Sequence, residues 1–248
     1  MSRAFFSTFL VLAISLPLGA ACGGDDDDDT GGGVDSGGGG GVDAGGTRAD
    51  ASAGCVATDV LPLEYHPIAM VSAGEVTTTA GEAGVTDAVV DATSLDLPAD
   101  NPYVYIDLVA GAKAQIDDVA SLTSTDWDVA FERSSIKCNG GDSGPGQVAV
   151  AAVDAASIGD VTEAPADGEF AADDWVSDAC DYQQLPFGEP STVFGEWYDY
   201  DIDSHLLTPK PQIYVVRTHT GDLVKLAITS YYSEGGIPAT YSVSWAAL

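Results

Sequence analysis

The sequence predicts an all-β fold: antiparallel sheets in a sandwich-like single domain, preceded by a disordered Gly/Asp-rich tether. Three observations predict it. Segments rich in β-branched and aromatic residues recur through the second half of the chain with turn residues between them. The last of these, Thr240 to Trp245, alternates strictly, with Tyr241, Val243 and Trp245 on one face and Ser242 and Ser244 on the other. The stretch from Gly23 to Gly54 holds thirteen glycines, eight aspartates and no aromatic residue, so it cannot bury enough apolar surface to offset its ordering entropy.

From the N-terminus, residues 1–21 read as an export signal of the lipoprotein type: Arg3, then an apolar run from Phe5 to Leu18, then Gly19, Ala20 and Ala21 before Cys22. The run is short for a membrane span. Cys22 is the predicted lipidation site, although Gly19 stands where a branched aliphatic is usual and Leu18 falls one place early. Residues 22–54 form the tether, with an r.m.s. reach of roughly 30 Å as a Gly-rich coil. Residues 55–248 form the domain.

Within the domain, Tyr65 to Met70 and Glu75 to Ala80 suggest short extended pieces, and Thr93 to Pro102 a polar connector. Tyr103 to Val109 reads as a strand with Tyr103, Tyr105 and Asp107 on one side and Val104, Ile106 and Leu108 on the other. Trp127 to Arg133 is a second, with Trp127, Val129 and Phe131 turned one way, and Gln147 to Val153 is a third. Asp154 to Cys180 suggests a helical turn and a loop packed over the sheet. Trp197 to Asp203 puts Tyr198, Tyr200 and Ile202 opposite Asp199, Asp201 and Asp203, an edge strand that ends near Pro209 and Pro211. Gln212 to Thr218 and Leu223 to Tyr232 flank His219-Thr220-Gly221-Asp222 as a hairpin, and Thr240 to Trp245 follows.

Two blocks carry a family resemblance. The first is Thr125-Asp126-Trp127-Asp128-Val129-Ala130-Phe131 with Ile136-Lys137 and the Gly140 to Gly146 loop. The second is Trp197-Tyr198-Asp199-Tyr200 leading to Ile213 to Thr218, Gly221, Lys225-Leu226 and Tyr231-Tyr232. In their order and spacing they resemble the HmuY family of heme-binding bacterial lipoproteins. The resemblance implies an all-β, non-catalytic domain that carries heme or a related tetrapyrrole at the cell surface, with an outer-membrane receptor as a further partner. The rival reading is a lipid-anchored β-domain that has lost heme and serves as an interaction or adhesion module.

Heme needs one or two axial donors in an apolar slot. His205 is the first candidate, beside Leu206 and Leu207; His66 and Met70 follow, four residues apart; His219 reads as an ordinary residue of a hairpin turn. Lys210 and Arg217 are the candidate propionate contacts. Tyr198, Tyr200, Tyr231 and Tyr232 either line a flat slot or belong to the sheet core.

The formal charge of −31 disfavours nucleic acid and anionic lipid head groups as partners. With Cys22 assigned to the lipid, Cys55, Cys138 and Cys180 remain, and the positions of Cys138 and Cys180 inside the domain predict a disulfide between them. No spacing suggests zinc or a redox dithiol. Gly141-Asp142-Ser143-Gly144 looks like a protease serine segment, but no histidine lies in the setting a triad requires, and a turn between strands explains it. Asp199, Asp201 and Asp203 resemble the start of an EF-hand loop, yet Ser204 and Lys210 occupy the positions that need Gly and Glu.

Overall fold

The computed structural model describes residues 67–93, 102–176, 183 and 190–248. Among these, twelve strands form three antiparallel sheets. They are β1 (Val76–Ala80), β2 (Thr86–Asp91), β3 (Val104–Asp107), β4 (Ala112–Lys113), β5 (Val129–Glu132), β6 (Ser135–Cys138), β7 (Ala149–Val153), β8 (Tyr198–Asp201), β9 (Leu206–Pro209), β10 (Ile213–Arg217), β11 (Leu223–Tyr232) and β12 (Pro238–Ala247). A six-stranded sheet runs β1-β2-β12-β11-β10-β7, a four-stranded sheet runs β4-β3-β5-β6, and β8-β9 stand as a separate ribbon. Among the described residues the one short α-helix, α1 (Asp118–Ser121), begins where the Asp117 side chain accepts the Ala120 N–H.

The two larger sheets face each other across one core. Val104 and Ile106 of β3, Val129 and Phe131 of β5, Leu226 and Ile228 of β11, and Tyr241, Val243 and Trp245 of β12 all join it. The Phe131 and Tyr241 rings meet edge to face across the gap at 4.9 Å. The expected inward face of the last strand is therefore the observed one, and its serines lie on the other side. β10 and β11 are covered on both faces, since Ile213, Val215 and Ala227 pack beneath Ile158 and Val161, which explains why their sequences are apolar runs rather than alternations. The β10-β11 connection closes with the Thr218 N–H donating to the Asp222 carbonyl at 2.8 Å, and Gly221 takes φ +87° there.

Trp127 differs from expectation. It packs with Tyr103, Tyr105 and Ala130 on the outer side of the four-stranded sheet, whereas Val129 and Phe131 face inward. The chain bends at Asp128, whose carboxylate takes the Leu108 N–H at 2.8 Å, and the strand starts only at Val129, so alternation cannot be carried back to the tryptophan.

The Gly140 to Gly146 loop is structural. The Asp142 carboxylate accepts the N–H groups of Trp175 and Val176 at 2.7 and 2.8 Å, and Ser143 is buried and accepts the Trp175 indole N–H at 2.9 Å. Gly141, at φ +60°, lies so close to Asp173 that a Cβ would stand 1.9 Å from its carbonyl oxygen.

Cys138 is a buried free thiol, so the expected disulfide is not supported. The backbone N–H of Cys138 donates to Asp173 Oδ2 at 2.9 Å, while Sγ faces the core, 3.8 Å from the Val148 carbonyl oxygen. Cys180, named as its partner, lies outside the described residues, as do Cys22 and Cys55.

Candidate functional site

The β8-β9 ribbon is the part of the molecule built to present side chains outward. Its base is anchored by aromatics: Trp197 is buried, donates its indole N–H to the Ser134 carbonyl at 2.9 Å, and packs on Tyr198, Tyr231 and Tyr241 with ring centres 4.8 to 5.8 Å apart. The Leu207 N–H donates to the Tyr232 hydroxyl at 3.1 Å, which ties the ribbon to the far end of β11. Of the four tyrosines considered as slot walls, Tyr231 belongs to the core, Tyr198 and Tyr232 pack against it, and Tyr200 alone is exposed.

The tip is closed by Asp201, whose Oδ1 accepts the N–H groups of Asp203 and Ser204 at 2.9 and 2.8 Å. Those bonds favour the ionised carboxylate and hold its pKa below the ordinary aspartate value. Of the residues similar to an EF-hand start, Asp201 thus closes a hairpin turn, while Asp199 lies in β8 near Lys210. His205 follows at φ +58° and is exposed, with Nδ1 2.6 Å from the Tyr200 hydroxyl. In the tautomer that donates Nδ1–H to Tyr200, Nε2 keeps its lone pair for a ligand. Around it Ile202, Leu206 and Tyr200 are 76%, 51% and 37% exposed. Histidine, apolar surface and a tyrosine that orients the ring therefore meet at one tip.

The other predicted residues do not converge on it. Met70 is exposed in a segment held against α1, where Ile68 donates its N–H to Asp118 Oδ2 at 3.1 Å. His66 lies outside the described residues. Lys210 sits at the foot of the ribbon, 3.8 Å from Glu196 and 3.9 Å from Asp199. Arg217 is at the opposite end of β10, bonded to Asp167 at 2.6 Å and stacked over Phe170 at 4.2 Å.

Two clusters escaped the sequence reading. His219 lies with Nδ1 2.9 Å from the fully buried Asp128 carboxylate, 91 positions away, a contact that no local pattern reveals. On the outer face of the four-stranded sheet, Lys137 is buried against Tyr103, Tyr105 and Trp127, beside the buried Asp118. A lysine between Ile136 and Cys138 reads from sequence as the wet side of a strand. A shallow cleft beside it, lined by Leu122, Lys137, Asp142, Ser143, Trp175, Pro190 and Thr192, has room for little more than a water molecule.

Residues 99–245 match the family model described as HmuY protein, and the chain belongs to that family. The chain is also similar to three solved structures. One is a protein assigned as a lipoprotein from Bacteroides fragilis, 21% identical over 68% of this chain and 92% of that one, with a TM-score of 0.48. Another is assigned as an HmuY-like heme-binding protein from Bacteroides vulgatus, 16% identical over 69% and 96%, TM-score 0.49. The third is the apo HmuY analog of Tannerella forsythia, 14% identical over 71% and 97%, TM-score 0.46. No curated relative matches the chain.

Proposed function

We propose that the chain is an exported, lipid-anchored, non-catalytic heme-binding protein, and that heme docks on the β8-β9 ribbon with His205 as its iron donor. Membership of the HmuY family supports heme as the ligand. The observation that carries the site is the tip itself, where a histidine oriented by Tyr200 stands among exposed Ile202, Leu206 and Tyr200. A flat apolar disc removes such side chains from water, at roughly 25 cal/mol per Å² of apolar surface covered. The cleft beside Lys137 is too small for that ligand.

A heme titration followed by absorbance tests this. Wild-type protein is expected to give a saturable Soret change at micromolar heme, and His205→Ala to shift the spectrum by altering the axial field. If the wild type shows no saturable change in either iron oxidation state, the heme reading falls. The exposed Ile202 and Leu206 then favour the second reading, an interaction module whose protein partner covers the ribbon tip.

A further inference from the structure

We propose that Asp107, Asp128 and His219 form a binding site for one divalent first-row transition-metal ion, at the end of the sandwich opposite the β8-β9 ribbon. The three residues come from three separate places: the last position of β3, the bend before β5, and the β10-β11 turn. One donor atom of each lies within 4.8 Å of the others. Donors around a single ion, at bond lengths of about 2.0 to 2.2 Å, stand about 3 to 4 Å apart, so a small contraction brings all three into one coordination shell. Asp128 Oδ1 and His219 Nδ1 are already 2.9 Å apart.

The carboxylates are positioned before any ion arrives. Asp128 is fully buried, with Oδ2 accepting the Leu108 N–H and Oδ1 the His219 N–H, each at 2.8 Å. Asp107 is held by the Ala110 N–H at 2.8 Å. Among the described residues neither carboxylate forms an ion pair with lysine or arginine. Two carboxylates thus face one imidazole, and a divalent cation balances that charge by displacing the proton between Nδ1 and Oδ1. One nitrogen and two oxygens suit Zn²⁺, Mn²⁺, Co²⁺ or Ni²⁺; the imidazole disfavours Ca²⁺ and Mg²⁺, and the absence of thiolate from the set disfavours soft ions. Three protein ligands leave further positions for water.

The site is separate from the heme reading and survives its failure. β11 spans ten residues, about 33 Å of extended strand, with the His219 turn at its start and the ribbon at its end. The test is calorimetric titration of the metal-free full chain with zinc chloride and manganese chloride. One saturable site is expected, weakened at least tenfold by His219→Ala and by Asp107→Asn, and untouched by His205→Ala. Asp107→Asn keeps an oxygen for the Ala110 N–H, so it decides the matter even if the histidine variant folds poorly. No saturable site for either ion, or equal binding by wild type and Asp107→Asn, overturns the proposal. Equal binding would assign the ion to other carboxylates, such as the run Asp25 to Asp29.

Discussion

The Lys137 ammonium is held over the rings of Tyr103, Tyr105 and Trp127, at 4.3, 5.1 and 5.4 Å, and donates to the Tyr105 hydroxyl at 3.1 Å. Burial lowers its pKa to about 8, opposed by the charges of Asp118, Asp173 and Glu132. Burial in turn raises the Asp118 carboxyl, which Lys137 and three hydrogen bonds pull back down. Between pH of about 8 and 10.5 the unfolded lysine holds a proton that the folded one releases, so this group makes stability rise with pH across that window. Below it, the folded state bears the cost of a buried charge. Lys137→Met keeps the volume but removes the charge beside the Asp118 carboxylate and the bond to the Tyr105 hydroxyl, and at pH 7 it should destabilise the domain by about 1 to 3 kcal/mol. Denaturant midpoints of the two proteins measured across the window check both statements. A wild type that does not gain on the variant as pH rises would show that the amine keeps its proton on folding.

At the scale of elements, β12 pairs with β2 on one side and β11 on the other, and Trp245 is buried between the large sheets. Trp245→Ala should cost about 3 to 5 kcal/mol, read as a fall in the denaturation midpoint. A negligible change would mean that the site collapses around the loss. The strict alternation of Thr240 to Trp245 made this strand and its inward face legible from sequence, as did the apolar runs of β10 and β11. β2 was not legible, because Thr86 to Asp91 is short and carries an aspartate at each end of its apolar centre, so its identity rests on pairing with β12. β9 was missed because Pro209 marks its end and only the ladder from Tyr198 to Pro209 makes it a strand. The edge strand expected at Trp197 to Asp203 belongs to that ribbon and not to either large sheet. His205 was legible as a candidate donor beside apolar neighbours, but its exposure and its bond to Tyr200 depend on the hairpin that β9 completes. His219 and Lys137 were not, since what distinguishes them is long-range contact with Asp128 in one case and with Tyr105, 32 positions away, in the other.

For the whole molecule, the proposed lipid anchor makes location depend on one residue, Cys22. Cys22→Ser should release the protein from the membrane fraction, because stable anchoring needs the two or more acyl chains that the lipoprotein pathway attaches. The same membrane fraction and N-terminal peptide mass in the variant would refute the anchor. Charge acts at the same scale and bears on the ligand. With a formal charge of −31 the protein repels the two carboxylates of heme, and the cations expected to offset that are already engaged, Arg217 by Asp167 and Lys210 between Glu196 and Asp199. The long-range repulsion is felt over about 30 Å at 0.01 M salt and about 8 Å at 0.15 M. Heme affinity should therefore increase several-fold as salt rises between those concentrations, the opposite of binding carried by local ion pairs. Titrations at the two ionic strengths distinguish the cases. An affinity that falls with salt would mean that Lys210 or Arg217 leaves its carboxylate to pair with a propionate, and Arg217→Ala or Lys210→Ala would then abolish the salt dependence and identify which of the two it is.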